Sequence, residues 1–414
     1  MVSDESDDRD PLFRYDDPVF AREELLKIKH IPGSDRIVGR DEHMKQVAEA
    51  LNPAIFGREP THLLIFGETG TGKSLISRSV TERVIKEAKR DDITVKAAYV
   101  DCGEQNTEAG VVKTIGRELN NPTQSGITIP ERGLATGDYY RRLWDVLDMC
   151  CDVAILILDE IDLLEDDEVL RKLSRAGENQ QISDSNIGII GISNKINFAD
   201  ELGERVKSSF ARDELVFPAY DATQLVDILQ NRRDAFRENV LEGDVIPLTA
   251  ALAAQEHGDA RKAIDILRNA GRIAAQSDTI PVTDEHVRQA KKKTEADRFA
   301  ELIAGAPTQA KTILLALTNL TESKQADEFS TKEIYRRYQQ IARGTGLDML
   351  SERRTQEILK EHDFLNVIQS ERRGRGRGQG VHAKHRLLEE PDIVKSVLEQ
   401  DSRISDFLSS TDND

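Results

Sequence analysis

Short, continuous apolar runs separated by amphipathic stretches fill the first half of this chain. Such runs are expected of parallel strands buried on both faces, with helices covering the sheet. Leu63-Leu64-Ile65-Phe66, Val153-Ala154-Ile155-Leu156-Ile157-Leu158 and Gly188-Ile189-Ile190-Gly191-Ile192-Ser193 are the clearest. From Ala222 to Lys293 every periodic segment reads as helix, with Leu225, Ile228 and Leu229 forming one stripe and Ile264, Leu267 and Ala270 a later one. A third pattern begins near Phe299. Helices are expected over Pro307 to Leu320, Ser330 to Ala342 and Ser351 to His362, then a strand-like Phe364 to Ile368 and a hairpin, the order of a winged helix-turn-helix. The pattern divides the chain into an α/β unit over 18–218, a helical unit over 219–298 and a winged-helix unit over 299–400. The acidic tail 1–17 and the polar tail 401–414 flank them and are expected to be disordered.

The first apolar run leads into Gly67-Glu68-Thr69-Gly70-Thr71-Gly72-Lys73-Ser74 and Leu75, where an amphipathic helix begins. Glycines let such a loop curl until its N–H groups and the helix N-terminus face phosphate oxygens. Lys73 supplies a point charge for the β- and γ-phosphates, and the Ser74 hydroxyl is a ligand type for magnesium. The second run ends in Asp159-Glu160-Ile161-Asp162, at the strand end where open α/β sheets bind ligands. Asp159 is placed to hold magnesium directly or through water, and Glu160 to orient and deprotonate an attacking water. Asp162 reads as a helix N-cap. Asn194 follows the third run; alone it is a turn residue, but after the other two motifs it becomes a sensor of the γ-phosphate or the attacking water.

The order of P-loop, D-E-I-D strand end and S-N strand end resembles the AAA+ ATPases, and within them the archaeal origin-recognition and cell-division-control initiator family. The likeness runs from about residue 20 to 400, with anchors at Ile37-Val38-Gly39-Arg40-Asp41-Glu42, Glu204-Arg205-Val206-Lys207-Ser208-Ser209-Phe210 and Gly258-Asp259-Ala260-Arg261-Lys262-Ala263-Ile264-Asp265. The resemblance implies that Ile37, Val38 and Arg40 line an adenine pocket. It implies that Arg261 reaches the γ-phosphate from the lid, and that Arg205 is the finger offered to a neighbouring subunit. Several relatives carry a second arginine where Ser209 stands here. The stretch Glu104 to Arg142, interrupted by Pro122, Gly126, Pro130 and Gly133, resembles the initiator-specific insertion. Arg132, Arg141 and Arg142 would be its DNA contacts; a surface loop and helix without DNA contact is the alternative.

In the winged unit Ile358, Leu359 and His362 are expected to face the core. That leaves Arg353, Arg354, Glu357 and Lys360 outward, where a recognition helix meets a major groove. The wing Glu371 to Arg386 holds six Lys or Arg and a single Glu, including Arg372, Arg373, Arg375 and Arg377. Its alternating Arg and Gly suit phosphate tracking or entry into a minor groove.

Composition sharpens this picture. The 414 residues carry 75 acidic and 57 basic side chains, a net charge of −18, so DNA binding must be local rather than driven by overall charge. Arg outnumbers Lys by 36 to 21, and an acidic, Lys-poor surface suits a protein dissolved at very high salt; with the resemblance, the expectation is a haloarchaeal source. Three cysteines, Cys102, Cys150 and Cys151, give neither a disulfide framework nor metal-type spacing. No apolar run reaches the roughly 18 residues of a membrane span, and the start lacks a secretory signal. These features lead to the expectation of a cytoplasmic protein, and the resemblance implies that it is chromosome-associated.

The resulting expectation is a slow, regulatory ATPase that uses ATP/ADP and magnesium. Origin double-stranded DNA is its target and the minichromosome-maintenance helicase its partner by resemblance, with self-association on DNA and no membrane. An ATP-responsive transcriptional regulator and a clamp-loader-like motor share the ATPase motifs.

Overall fold

The computed structural model describes residues 16–27, 30, 32–33, 36–210, 213–277, 279–323, 326–373 and 382–405, apart from the side chains of 372, 373 and 382. Two compact units, 1–284 and 285–414, emerge. In the first, strands β1 (Leu63–Phe66), β2 (Val95–Asp101), β3 (Val153–Asp159), β4 (Asn186–Ser193) and β5 (Asp213–Val216) form one parallel sheet in the order β2-β3-β4-β1-β5. Every residue of β1 and β3 is buried, as their unbroken apolar sequences require. Chain order reverses around β1, so the crevice at the carboxyl ends of β1, β3 and β4 is where such a sheet takes a ligand.

Helices cover both faces. One core layer joins Val47, Leu51, Ile76, Val80 and Val84 to β1, and the other joins Val111, Ile115, Leu143 and Leu147 to β3. The segment after β2 holds two substantial helices, Glu108–Leu119 and Thr136–Cys150, with the Pro- and Gly-containing stretch confined between them around the short helix Pro122–Ser125. Both long helices are amphipathic and bury their apolar faces.

Past β5 the first unit is helical: Ala222–Gln230, Val245–Gln255 and Ala260–Gln276 are its main elements. The first opens with a complete capping box, Asp221 with Gln224. On Ala260–Gln276 the buried stripe is Ala263, Ile266, Leu267, Ala270 and Ala274, whereas Ala260 and Ile264 turn toward the crevice. An amino-terminal strap crosses this helical layer. Phe20 bridges Phe236, and Arg22 and Arg36 both pair with Asp234. Asp16 and Asp17, expected in a disordered tail, are bonded here: Asp17 Oδ1 accepts from Val19 N at 2.8 Å and Asp16 pairs with Arg237. Residues 1–15 and 406–414 lie outside the described residues.

The second unit contains helices Thr308–Ser323, Thr331–Gly344 and Glu352–Phe364, then β7 (Ile368–Arg373) and β8 (His382–Leu387), with β6 (Phe329–Ser330) pairing β8. This is the expected winged helix-turn-helix. The strand begins later than its apolar residues suggest: the helix runs through Phe364, Asn366 takes a left-handed turn at φ 53°, and Val367 N bonds back to His362 O at 2.9 Å. Among the described residues no helix is long and apolar enough to cross a membrane.

Candidate nucleotide cleft and nucleic-acid surface

The loop from Gly67 to Gly72 leaves β1 and enters helix Lys73–Ala88. Gly70 sits at φ +76°, and a Cβ there would stand 1.7 Å from Asp259 Oδ1. Only glycine allows the helical layer to rest on the loop at that point. The contact is reinforced by Ala260 N, which donates to Gly70 O at 3.3 Å. Glu68 and Thr71 close the loop internally, the Thr71 hydroxyl donating to Glu68 O at 2.8 Å, and Thr69 lines the crevice.

Lys73 is buried and its ammonium donates to Gly67 O at 2.6 Å, Glu68 O at 2.8 Å and Asn194 Oδ1 at 3.0 Å. Burial, and then the nearby Arg261 cation, outweigh the attraction of Asp159 and bring its pKa down to about 8. Ser74 Oγ and Tyr99 Oη both donate to Asp159 Oδ2, the latter at 2.7 Å, while Glu160 N donates to Asp159 Oδ1 at 3.0 Å. Glu160 itself adopts φ +55°. Burial first, and then Asp101, Asp159 and Asp162, raise its carboxyl above the ordinary value. Asn194 Nδ2 donates to Glu160 Oε1 at 3.3 Å.

Asp162 is not a helix N-cap. Its nearly buried carboxylate accepts from Ser193 Oγ at 2.9 Å and Asn194 N at 3.4 Å, so it fixes the end of β4 and thereby the Asn194 amide.

Ile37, Val38 and Leu75 line the broader part of the cleft with Tyr220, Ile228 and Ile264. Arg40, expected with them, stands behind this wall: it is 1% exposed, Nε donates to Thr71 O at 3.0 Å, Nη2 donates to Pro218 O, and the guanidinium stacks 4.0 Å over Tyr220. It ties the loop to the hinge before the helical layer rather than touching the cleft. Arg261 is exposed and lines both the broad and the acidic parts of the cleft. Its turn is fixed by Asp259 Oδ1, which accepts from Arg261 N at 2.7 Å.

Arg205 lies exposed on helix Glu204–Lys207 and does not line this chain's own cleft. Ser209 is buried against Ser174 at 3.0 Å. Sequence reasoning missed Tyr99, Asp101, Tyr220, Arg232 and Ile264. Most of them are isolated in sequence and meet the site only through folding.

The donors around Ser74 and Asp159 are all oxygens, which suits a hard cation. Among the described residues no group of three or more His, Cys, Asp or Glu is arranged to hold a metal alone. Ser74 and Asp159 are the residues that would hold such an ion, of the oxygen-liganded class to which magnesium belongs.

Family models match in three consecutive blocks: an AAA domain over residues 57–192, a Cdc6 AAA+ ATPase-type lid domain over 226–292 and a CDC6 C-terminal winged helix domain over 301–397. An ORC1-type DNA replication protein 4 of Halobacterium salinarum is 50% identical over 398 residues, 96% of this chain and 97% of the relative. This chain belongs to the ORC1-type DNA replication proteins. An ORC1-type relative from Haloarcula marismortui is 44% identical over 91% of this chain and 90% of its own length. The solved structure of the Aeropyrum pernix ORC1 protein in complex with DNA is 34% identical, with a TM-score of 0.79, over 94% of this chain and 99% of that one.

In this ORC1-type protein the winged unit buries Ile358, Leu359 and His362 and exposes Arg353, Arg354 and Lys360. The two arginines are engaged by Glu357, at 3.4 Å and 3.0 Å, and Arg354 also by Glu361. Exposed Lys332, Arg336 and Arg343 on helix Thr331–Gly344 add cations that sequence reasoning passed over. Arg372 and Arg373 belong to β7, and Arg375 and Arg377 lie outside the described residues. In the insertion Arg132 is exposed, Arg141 pairs with Asp138 at 3.3 Å, and Arg142 donates to Thr128 O.

Proposed function

We propose that this chain binds ATP with magnesium between the P-loop and the lid, hydrolyses it slowly, and uses the nucleotide state to control its grip on double-stranded origin DNA. The observation that carries this reading is the relay Lys73–Asn194–Glu160, with bonds of 3.0 Å and 3.3 Å, facing Arg261 across the cleft. Lys73 and Arg261 line the part of the cleft where a γ-phosphate would be expected, together with Glu160, whose carboxyl is raised.

Lys73 and Arg261 neutralise charge on the transferring phosphoryl group. Asn194 orients the attacking water, and Glu160 takes its proton. Ser74 and Asp159 would hold magnesium, which would offset the negative charge of the phosphates. Arg205 is exposed and does not line its own site, which fits a contribution to a neighbouring copy assembled on DNA.

DNA would be held by the winged unit, through Arg353, Arg354, Lys360 and the wing arginines, and by Arg132 and Arg141 of the insertion. The solved relative bound to DNA, and the concentration of cations against a net charge of −18, support this reading. At the high salt implied by composition, phosphate attraction weakens steeply and groove and shape readout gain weight. Recruitment of the replicative helicase completes the proposed role, with the protein chromosome-associated in the cytoplasm.

Duplex affinity measured by fluorescence anisotropy with ATP, with ADP and without nucleotide tests the coupling. The wild type should give distinct affinities for ATP and ADP, and Glu160→Gln should stay in the ATP state. Identical affinity in every state would refute the switch.

A further inference from the structure

Arg232 presents an unusual combination. It is 7% exposed and follows the C-terminus of helix Ala222–Gln230, yet it lines the cleft beside Arg36, Tyr220 and Ile228. Among the described residues its one side-chain hydrogen bond runs from Nη1 to Ile228 O at 2.9 Å. A guanidinium carries five N–H donors and no acceptor, so most of its capacity remains.

No carboxylate of the described residues pairs with Arg232. The nearest in sequence, Asp234, is occupied by Arg22 and Arg36, and the groups acting electrostatically on Arg232 are the Tyr220 phenol and the Arg36 cation. Most of the side chain is out of water while its remaining donors still reach the cleft, so acceptors arriving there would offset the cost of burying the cation. The helix-terminal bond to Ile228 accounts for one donor and for some favourable alignment with the helix dipole. It does not account for a side chain that borders the cleft.

The location limits what the missing acceptor is. Lys73 and Arg261 sit at the phosphate end, whereas Arg232 adjoins Arg36 and the apolar wall of Ile37, Val38 and Ile228. An apolar slab suits the flat face of a base better than a hydroxylated ribose. On adenine the exocyclic amine is a donor and the ring nitrogens are acceptors, so a donor-only side chain must meet a ring nitrogen.

We infer that Arg232 is a specificity-determining residue of the cleft, donating from the lid to a ring nitrogen of the purine base. The inference rests on the reading of the cleft as an ATP site and deepens it. Base identity would then be read by the lid, so nucleotides without that acceptor close the lid less well.

The test compares equilibrium binding of ATP with 1-deaza-, 3-deaza- and 7-deaza-ATP to wild-type protein, Arg232→Met and Arg232→Lys, with circular dichroism confirming folding. Loss of one hydrogen bond to a charged group corresponds to about tenfold in affinity. One deaza analogue should bind the wild type about tenfold more weakly than ATP. Arg232→Met should bind ATP about tenfold more weakly and no longer distinguish that analogue. Arg232→Lys, which keeps a donor and much of the packing, should fall between and serves if the Met variant fails to fold. Equal binding of all four nucleotides by the wild type would overturn the inference, as would an equal loss for all four in the variant. Wild-type protein that binds no ATP would instead overturn the reading of the cleft itself.

Discussion

Lys73 Nζ lies 3.0 Å from Asn194 Oδ1, joining the loop after β1 to the end of β4 through a single side-chain bond. The same amide holds Glu160 at 3.3 Å, so one residue positions both the Lys73 and the Glu160 side chains. Asn194→Asp would tighten the Lys73 contact and place a like charge against Glu160. ATP binding should survive while turnover falls about a hundredfold. Nucleotide binding and phosphate release, measured on the same preparation, separate the two effects.

Glu160→Gln should bind ATP and lose at least about a hundredfold in hydrolysis. The wild-type carboxyl is raised by burial and by Asp101, Asp159 and Asp162. It must be ionised to accept a proton, so hydrolysis should fall on acidification at a pH above the usual glutamate value of about 4.3. A single-turnover pH profile reads this directly.

Lys73 has a pKa of about 8 in the free protein because of burial and the Arg261 charge. Phosphates entering the cleft favour its charged form and raise that value. Nucleotide binding should therefore take up a proton as pH rises through about 8, and affinity should decline there. Calorimetry in buffers of different ionisation enthalpy measures the uptake; Lys73→Ala should show none and should lose tight binding.

Two histidines of the winged unit tie its stability to pH. His362 bonds Ala310 O at 3.1 Å, and His385 bonds Ser370 Oγ at 2.8 Å and Thr331 Oγ1 at 2.9 Å. Burial lowers both pKa values below the ordinary 6.5. The unfolded chain then binds protons before the folded one does, so stability should fall as pH drops below the unfolded value and level off beneath the folded values. Thermal melts between neutral and mildly acidic pH should show a falling midpoint that His385→Asn blunts.

Glu357 holds Arg353 and Arg354 on the exposed side of helix Glu352–Phe364. If this face meets DNA, Glu357→Gln frees Arg353 and leaves Arg354 to Glu361 alone. Duplex affinity should rise several-fold and its salt dependence steepen. Neutralising Arg372, Arg373, Arg375 and Arg377 should do the reverse.

Most of the α/β framework was legible in the sequence, because β1 and β3 are buried on both faces and read as unbroken apolar runs. The loop motif followed from its strand and helix flanks. What escaped was brought together by folding: Tyr99 lies on a strand with mixed burial, and Tyr220 and Arg232 come from the hinge and lid. Ile264 matched the apolar period of its helix but faces the cleft. The resemblance implies Arg40 at the adenine wall, yet its guanidinium finds carbonyl partners on Thr71 and Pro218 behind it. Asp162 had the composition of a cap, but the nearer demand was the end of β4. Phe364 and Leu365 read as strand because apolar content alone does not distinguish a helix end from a strand start.

Genome-wide crosslinking of the protein to DNA in its own cells, compared with the positions where replication begins, tests the central claim most directly. Occupancy in sharp peaks at those start sites is the predicted result. Peaks spread over promoters, with none at replication starts, would contradict it and make the ATP cleft the switch of a transcriptional regulator.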